Sequence, residues 1–209
     1  MTFYFRLVTG LLYAISAQAL AAEGDATAGQ AKAAICAACH GADGNSMVPQ
    51  WPKLAGQHPD YLVRQLTLIQ AGDRPVPEMT GIVAGLSEQD FADIAAWYSS
   101  QQMSGGVTEE SQLIEGQLVW RAGNAESGVP ACMACHGPAG EGNPLSGYPR
   151  LAGQHSVYTA NMLNRFRAGE NWGAKDANSH VMDGVAAELT DDEIAALASY
   201  VEGLYLAED

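Results

Sequence analysis

An all-α fold of two tandem domains is what this 209-residue sequence predicts. Three observations predict it. The motif Cys-x-x-Cys-His occurs at Cys36–His40 and again at Cys132–His136, and together the two copies use all four cysteines in the chain. Longer blocks repeat in the same order: Trp51-Pro-Lys-Leu-Ala-Gly-Gln-His58 matches Tyr148-Pro-Arg-Leu-Ala-Gly-Gln-His155, with Tyr61 and Tyr158 three residues further on. Apolar residues recur at helical spacing, and no segment alternates as a strand would. A repeat period of about 100 residues means two domains, not a solenoid.

The elements follow in chain order. Residues 1–22 read as an export signal: Arg6 is the only charge before Glu23, Leu7 to Ile15 is largely apolar, and Ala19-Leu20-Ala21 offers a small-x-small site for cleavage after Ala21 or Ala22. The apolar stretch is short for a bilayer span, which needs about 20 residues. The first domain is expected over residues 23–104, a linker over 105–108 around Gly105-Gly106, and the second domain over 109–209. Asp25 to Ala38 and Glu109 to Ala122 read as first helices. Pro59 to Gln70 and Ser156 to Ala168 carry Leu62, Leu66, Ile69 and Met162, Leu163, Phe166 at helical spacing. The last helices begin at capping boxes, Ser87 to Asp90 and Thr190 to Glu193, with acids in the first turn that suit the helix dipole. Domains of this size with so much Gly- and Pro-rich loop have thin protein cores.

Cys-x-x-Cys-His is the attachment signature of c-type haem. Two thiols on one helical turn can add to the two haem vinyl groups, and the adjacent histidine is then placed to ligate iron. Cys36 and Cys39, then Cys132 and Cys135, would carry one haem c each, with His40 and His136 as proximal ligands. Redox dithiols or one shared four-cysteine zinc site would use the same thiols. Neither accounts for the histidines, and the dithiol reading lacks the strand–helix alternation of a thioredoxin-like fold. Export suits the haem reading, since bacterial thioether attachment takes place outside the cytoplasm.

An iron that shuttles electrons without binding substrate needs a second axial ligand. Met79 and Met182 are the methionines at equivalent positions in both copies, each eight residues before its capping box and 39 and 46 residues beyond its histidine. His/Met pairs occur in c-type haems and raise the potential relative to two histidines. Met47, Met103, Met133 and Met162 read as core filler. His180, two residues before Met182, competes for the second iron; Pro77 stands in its place in the first copy. His58 and His155 are expected in structural or propionate-side roles. Pro52 and Pro149 follow the proximal histidines by 12 and 13 residues, and their carbonyls could accept the second ring hydrogen. Lys53, Arg64, Arg74 and Arg150 could neutralise propionates.

Charge bounds the partners. Without the export segment the chain has 9 basic and 24 acidic residues, a surface that will not bind nucleic acid through phosphates. Redox partners with a basic docking patch fit it, with encounter that weakens as salt rises. Residues 22–107 hold 9 acids and 4 bases, residues 108–209 hold 15 and 5, so the second half carries about twice the net charge.

These elements resemble the dihaem cytochromes c4, two class I cytochrome c domains in tandem. The resemblance rests on both Cys-x-x-Cys-His-Gly segments, the paired Pro-Lys/Arg-Leu-Ala-Gly-Gln-His blocks and the Met79 and Met182 segments. Gly123-Asn124 leading to Cys132 and the ending Ala198 to Leu204 add to it. It implies His/Met ligation of both irons, pseudo-two-fold domains with haem edges facing across the interface, and a periplasmic location with loose membrane association in some members. It also implies electron flow from an upstream quinol-oxidising complex towards a membrane terminal oxidase. Val181 stands where relatives often carry a first of two methionines. A carrier is therefore expected and not an enzyme; a dihaem peroxidase needs a displaceable distal ligand, and the haem subunit of a flavin-containing sulfide dehydrogenase is the remaining alternative.

Overall fold

Asp25 opens the first helix, α1 (Ala26–Lys32), by accepting hydrogen bonds from the Thr27 and Ala28 N–H groups on its carboxylate. The computed structural model describes residues 23–174 and 176–205; the expected export segment lies outside them. A single helix over 25–38 is not what forms. The chain tightens into a 3₁₀ turn at Ala33–Ile35 and restarts as α2 (Ala37–His40), so the motif occupies its own short turn. Then come α3 (Pro59–Ala71), with Pro at its first turn, α4 (Pro77–Val83) and α5 (Glu88–Ser99).

The second copy repeats the order: α6 (Leu113–Ala122), α7 (Met133–His136), α8 (Ser156–Arg167), α9 (Ala177–Ala186) and α10 (Asp191–Gly203). Both capping boxes form, with Ser87 and Thr190 each bonded reciprocally to the acid three residues on. No strand forms among the described residues; the only β pairings there are isolated bridges, Asn124 to Val129 and Asn143 to Tyr148. The all-α, two-domain expectation holds. The methionine-bearing helices α4 and α9 are the additions, too short and too interrupted by Gly81 and Gly184 to show a period.

Packing is the same in both halves. The first helix crosses the last, α1 on α5 and α6 on α10; α3 and α8 pack on those last helices, and α4 and α9 on α3 and α8. Each first crossing is permitted by a glycine. A Cβ on Gly29 would overlap the Asp93 carbonyl, and one on Gly116 would overlap that of Ala196, the equivalent position. Val119, Trp120, Leu189, Ile194, Leu197 and Val201 form the second core. The first is split between a cluster at Leu62, Ile94 and Tyr98 and another at Ile69, Val83 and Phe91. Met47, read as core filler, is instead 94% exposed: its neighbour Ser46 is the residue that turns inward, against His155. The expected linker is no loose tether: Gly106 donates to the Glu202 carbonyl and Glu109 to the Ser199 hydroxyl.

Asp93 knits the start of the first domain to its last helix. Its carboxylate accepts from the Asp25 N–H, Lys32 Nζ and Gln89 Nε2. These donors, the Asp25 N–H foremost, hold its pKa down at about 2.

Two outcomes follow from this packing. Gly29→Ala or Gly116→Ala should destabilise the holoprotein by about 1–3 kcal/mol in denaturant titration, as overpacking does. A depressed carboxylate pKa contributes stability above the unfolded value that is lost as pH falls through the folded one. The stability gap between wild type and Asp93→Asn should therefore close as pH drops from 3.8 towards about 2.

Candidate haem-binding sites

Each Cys-x-x-Cys-His turn ends on a histidine that the fold buries to 6% exposure. His40 Nδ1 donates to the Pro52 carbonyl at 2.9 Å, and His136 Nδ1 to that of Pro149 at 3.0 Å. Both hydrogen bonds anticipated from the proline spacing are present. Their chemical result is tautomer selection: with the proton on Nδ1, the Nε2 lone pair is free for a metal. Burial lowers the pKa of both imidazoles, against the carbonyl bond that raises it, and so favours the neutral ligand form. The motif's glycines, Gly41 and Gly137, turn the chain sharply away at φ +80° and +79°.

The thiols do not suit a redox dithiol. Burial pushes Cys36 up and Cys132 to about 11, whereas reactive dithiols have depressed values. No cluster of three or more His, Cys, Asp or Glu side chains fit for a metal ion occurs among the described residues, so the four cysteines do not converge on one zinc.

Met79 lies on α4, half-buried against Ile69, Val83 and Phe91, and Met182 lies half-buried on α9. His180 precedes Met182 by two residues, which on a helix puts the side chains roughly 200° apart. It is exposed, its side chain 48% accessible, with Nδ1 3.6 Å from Asp183. One face of α9 cannot present both residues inward.

The paired Leu-Ala-Gly-Gln-His blocks meet where the domains touch. Gln57 Nε2 donates to the Arg150 carbonyl at 2.8 Å, and its Oε1 accepts from the Arg150 N–H at 2.9 Å. Gln154 does the same to Lys53, both bonds 2.9 Å. His58 Nε2 donates to the Glu141 carbonyl and His155 Nε2 to the Ser46 carbonyl, at 2.9 and 2.8 Å. The contacts come in two-fold-related pairs. His58 and His155 are thus structural, each reaching into the other domain. Gln57 and Gln154 escaped the sequence reading, although their repetition beside those histidines was the available signal.

The four basic candidates divide. Lys53 Nζ donates to the Ser104 and Gly153 carbonyls, so the structure spends it on the interface. Arg74 reaches Gln65 and, across the interface, Tyr158, and lies over Trp172; Arg64 reaches the Gly147 carbonyl. Tyr61, beside Tyr158 in this cluster, is pushed up to about 12 by burial. Arg74 and Arg150 each retain a buried Nε with no hydrogen-bond partner, whereas Arg64 Nε faces the Asp176 carboxylate at 3.8 Å. Two orphaned guanidinium donors fit a group that brings carboxylates, as haem does with its propionates.

Comparison with known proteins agrees with this geometry. The family model for cytochrome c matches residues 26–102 and 115–204. A cytochrome c4 of Pseudomonas aeruginosa is 47% identical, covering 96% of this chain and 99% of the relative. The crystal structure of reduced recombinant cytochrome c4 from Pseudomonas stutzeri superposes with a TM-score of 0.83 at 48% identity, covering 87% of this chain and all of that one. A thiosulfate dehydrogenase electron acceptor of Stutzerimonas stutzeri is 36% identical, covering 92% of this chain and 90% of the relative.

The paired histidine contacts carry a consequence for cooperativity. His58→Ala or His155→Ala should each weaken domain docking by about 1 kcal/mol. Calorimetry of the holoprotein should then show a single unfolding transition broadening or splitting, with His180→Ala leaving it unchanged.

Proposed function

The chain belongs to the dihaem cytochrome c4 family, and on that footing we propose that it carries single electrons through the periplasm towards a terminal respiratory oxidase. It is an electron-transfer protein with two covalently bound haem c groups. Cys36 and Cys39 hold one and Cys132 and Cys135 the other, with His40 and Met79, then His136 and Met182, as axial ligands. Bound haem iron supplies the one-electron ferric–ferrous couple. The residues of the chain set its potential through ligand type, burial and hydrogen bonding.

The observation that carries the reading is the duplicated proximal geometry: two buried histidines, each held by a proline carbonyl in the tautomer a metal requires. Half-buried methionines at equivalent positions support filled sixth positions, and a filled sixth position favours a carrier over a dihaem peroxidase. His180, turned to solvent beside Asp183, supports Met182 as the ligand.

The working chain begins after cleavage at Ala21 or Ala22. The first domain is residues 23–104, residues 105–108 connect, and the second domain runs from 109. No helix among the described residues is long and apolar enough to cross a membrane. The acidic surface suits partners presenting a basic patch, among them a quinol-oxidising complex upstream and the oxidase downstream, and its uneven charge gives the two domains different docking faces. The 36%-identical thiosulfate dehydrogenase acceptor favours a second donor class, a sulfur-oxidising enzyme.

A ferric absorption spectrum of the holoprotein tests the ligand set. The weak far-red band of methionine-ligated iron should integrate to two haems, fall by half in Met182→Ala and stay whole in His180→Ala. Half intensity in the wild type would remove Met182 as ligand, and with it the case for a pure carrier.

A further inference from the structure

The Pro52–Lys53 peptide is bonded at both ends. Its carbonyl accepts from His40 Nδ1 at 2.9 Å, and its N–H donates to Gln154 Oε1, from the other domain, at 2.9 Å. The Pro149–Arg150 peptide is the two-fold counterpart: its carbonyl accepts from His136 Nδ1 at 3.0 Å and its N–H donates to Gln57 Oε1 at 2.9 Å. Each proximal histidine is thus one amide plane away from a glutamine of the opposite domain.

We propose that Gln57 and Gln154 are positioning residues that tune the proximal histidine of the opposite domain, so that each domain sets part of the other's reduction potential. The inference rests on the reading of His40 and His136 as axial ligands. An amide is a resonance-coupled unit, and hydrogen bonds in series polarise one another. An acceptor on the Lys53 N–H makes the Pro52 carbonyl a stronger acceptor for His40. A more strongly bonded Nδ1–H leaves more electron density on the imidazole, which favours ferric iron and lowers the potential.

The geometry makes this coupling firm. Gln154 Nε2 donates to the Lys53 carbonyl at 2.9 Å and Gln57 Nε2 to the Arg150 carbonyl at 2.8 Å, so each carboxamide is held in the orientation that turns its oxygen to the N–H. Both glutamines are 5% exposed, which removes competing water and strengthens the polarisation. Gln154 Oε1 also accepts from the His155 N–H and Gln57 Oε1 from the His58 N–H. Those bonds tie the glutamine oxygens to the turns that carry the interface histidines.

The test is a spectroelectrochemical titration of the holoprotein with each haem followed by its own NMR-assigned methyl signals. Gln154→Ala should raise the reduction equilibrium of the haem at Cys36 and Cys39 about threefold, ~28 mV at ~59 mV per tenfold for one electron. It should leave the haem at Cys132 and Cys135 within experimental error. Gln57→Ala should do the converse, and Gln154→Glu, which keeps an acceptor, should lower the first haem. The crossed pattern separates tuning from damage, because a loosened interface would move both haems alike in both variants. Shifts on the haem of the variant's own domain, equal shifts on both, or none would overturn the proposal. Loss of His40 ligation signatures in the wild type would instead overturn the axial reading beneath it.

Discussion

The structure depends on a reciprocal clamp of four hydrogen bonds in which Gln57 holds the Arg150 backbone and Gln154 holds the Lys53 backbone. The clamped residues directly follow Pro52 and Pro149, whose carbonyls orient the proximal histidines. One short loop in each domain therefore serves two purposes: it fixes the metal ligand of its own domain and supplies the docking edge for the other. Any shift of the domains that lengthened the clamp would also strain the histidine bonds. Docking and ligand orientation are, in this chain, a single constraint.

The surrounding chemistry follows from that loop. Gly56 and Gly153 each donate a backbone N–H to the last helix of their own domain, at Tyr98 and Val201, so the loop is anchored to the element that carries most of the core. The first core is split in two, and cationic side chains gather at the domain interface. Lys53 and Arg74 are buried there, and Arg64 and Arg150 are half-buried. Buried cations need partners. Backbone carbonyls, Tyr158 and Asp176 supply some, and the unpartnered Nε atoms of Arg74 and Arg150 are the donors that a carboxylate-bearing cofactor would satisfy.

What could be read from the residues alone was whatever repetition or a short motif encodes. The two Cys-x-x-Cys-His turns, the proline carbonyls and the capping boxes at Ser87 and Thr190 all depend on local spacing, and all formed where expected. What could not be read depends on through-space pairing. The helices at Met79 and Met182 are too short to show a period, and the break at Ala33–Ile35 leaves no compositional mark in an alanine-rich run. Lys53 looks like its repeat mate Arg150, yet one is spent on carbonyls and the other keeps an orphaned nitrogen. The glutamines were visible as a repeat, but nothing local to Gln57 says that its partner is 93 residues away.

Amide hydrogen exchange at Lys53 and Arg150 in the holoprotein measures the clamp most directly. Both N–H groups lie in loops, where exchange is ordinarily fast, and both are bonded only to a glutamine of the other domain. They should be protected to the level of the α5 and α10 core amides, and each should lose that protection when its own glutamine is removed, Lys53 in Gln154→Ala and Arg150 in Gln57→Ala. Exchange at loop rates in the wild type, with α5 and α10 still protected, would contradict the account.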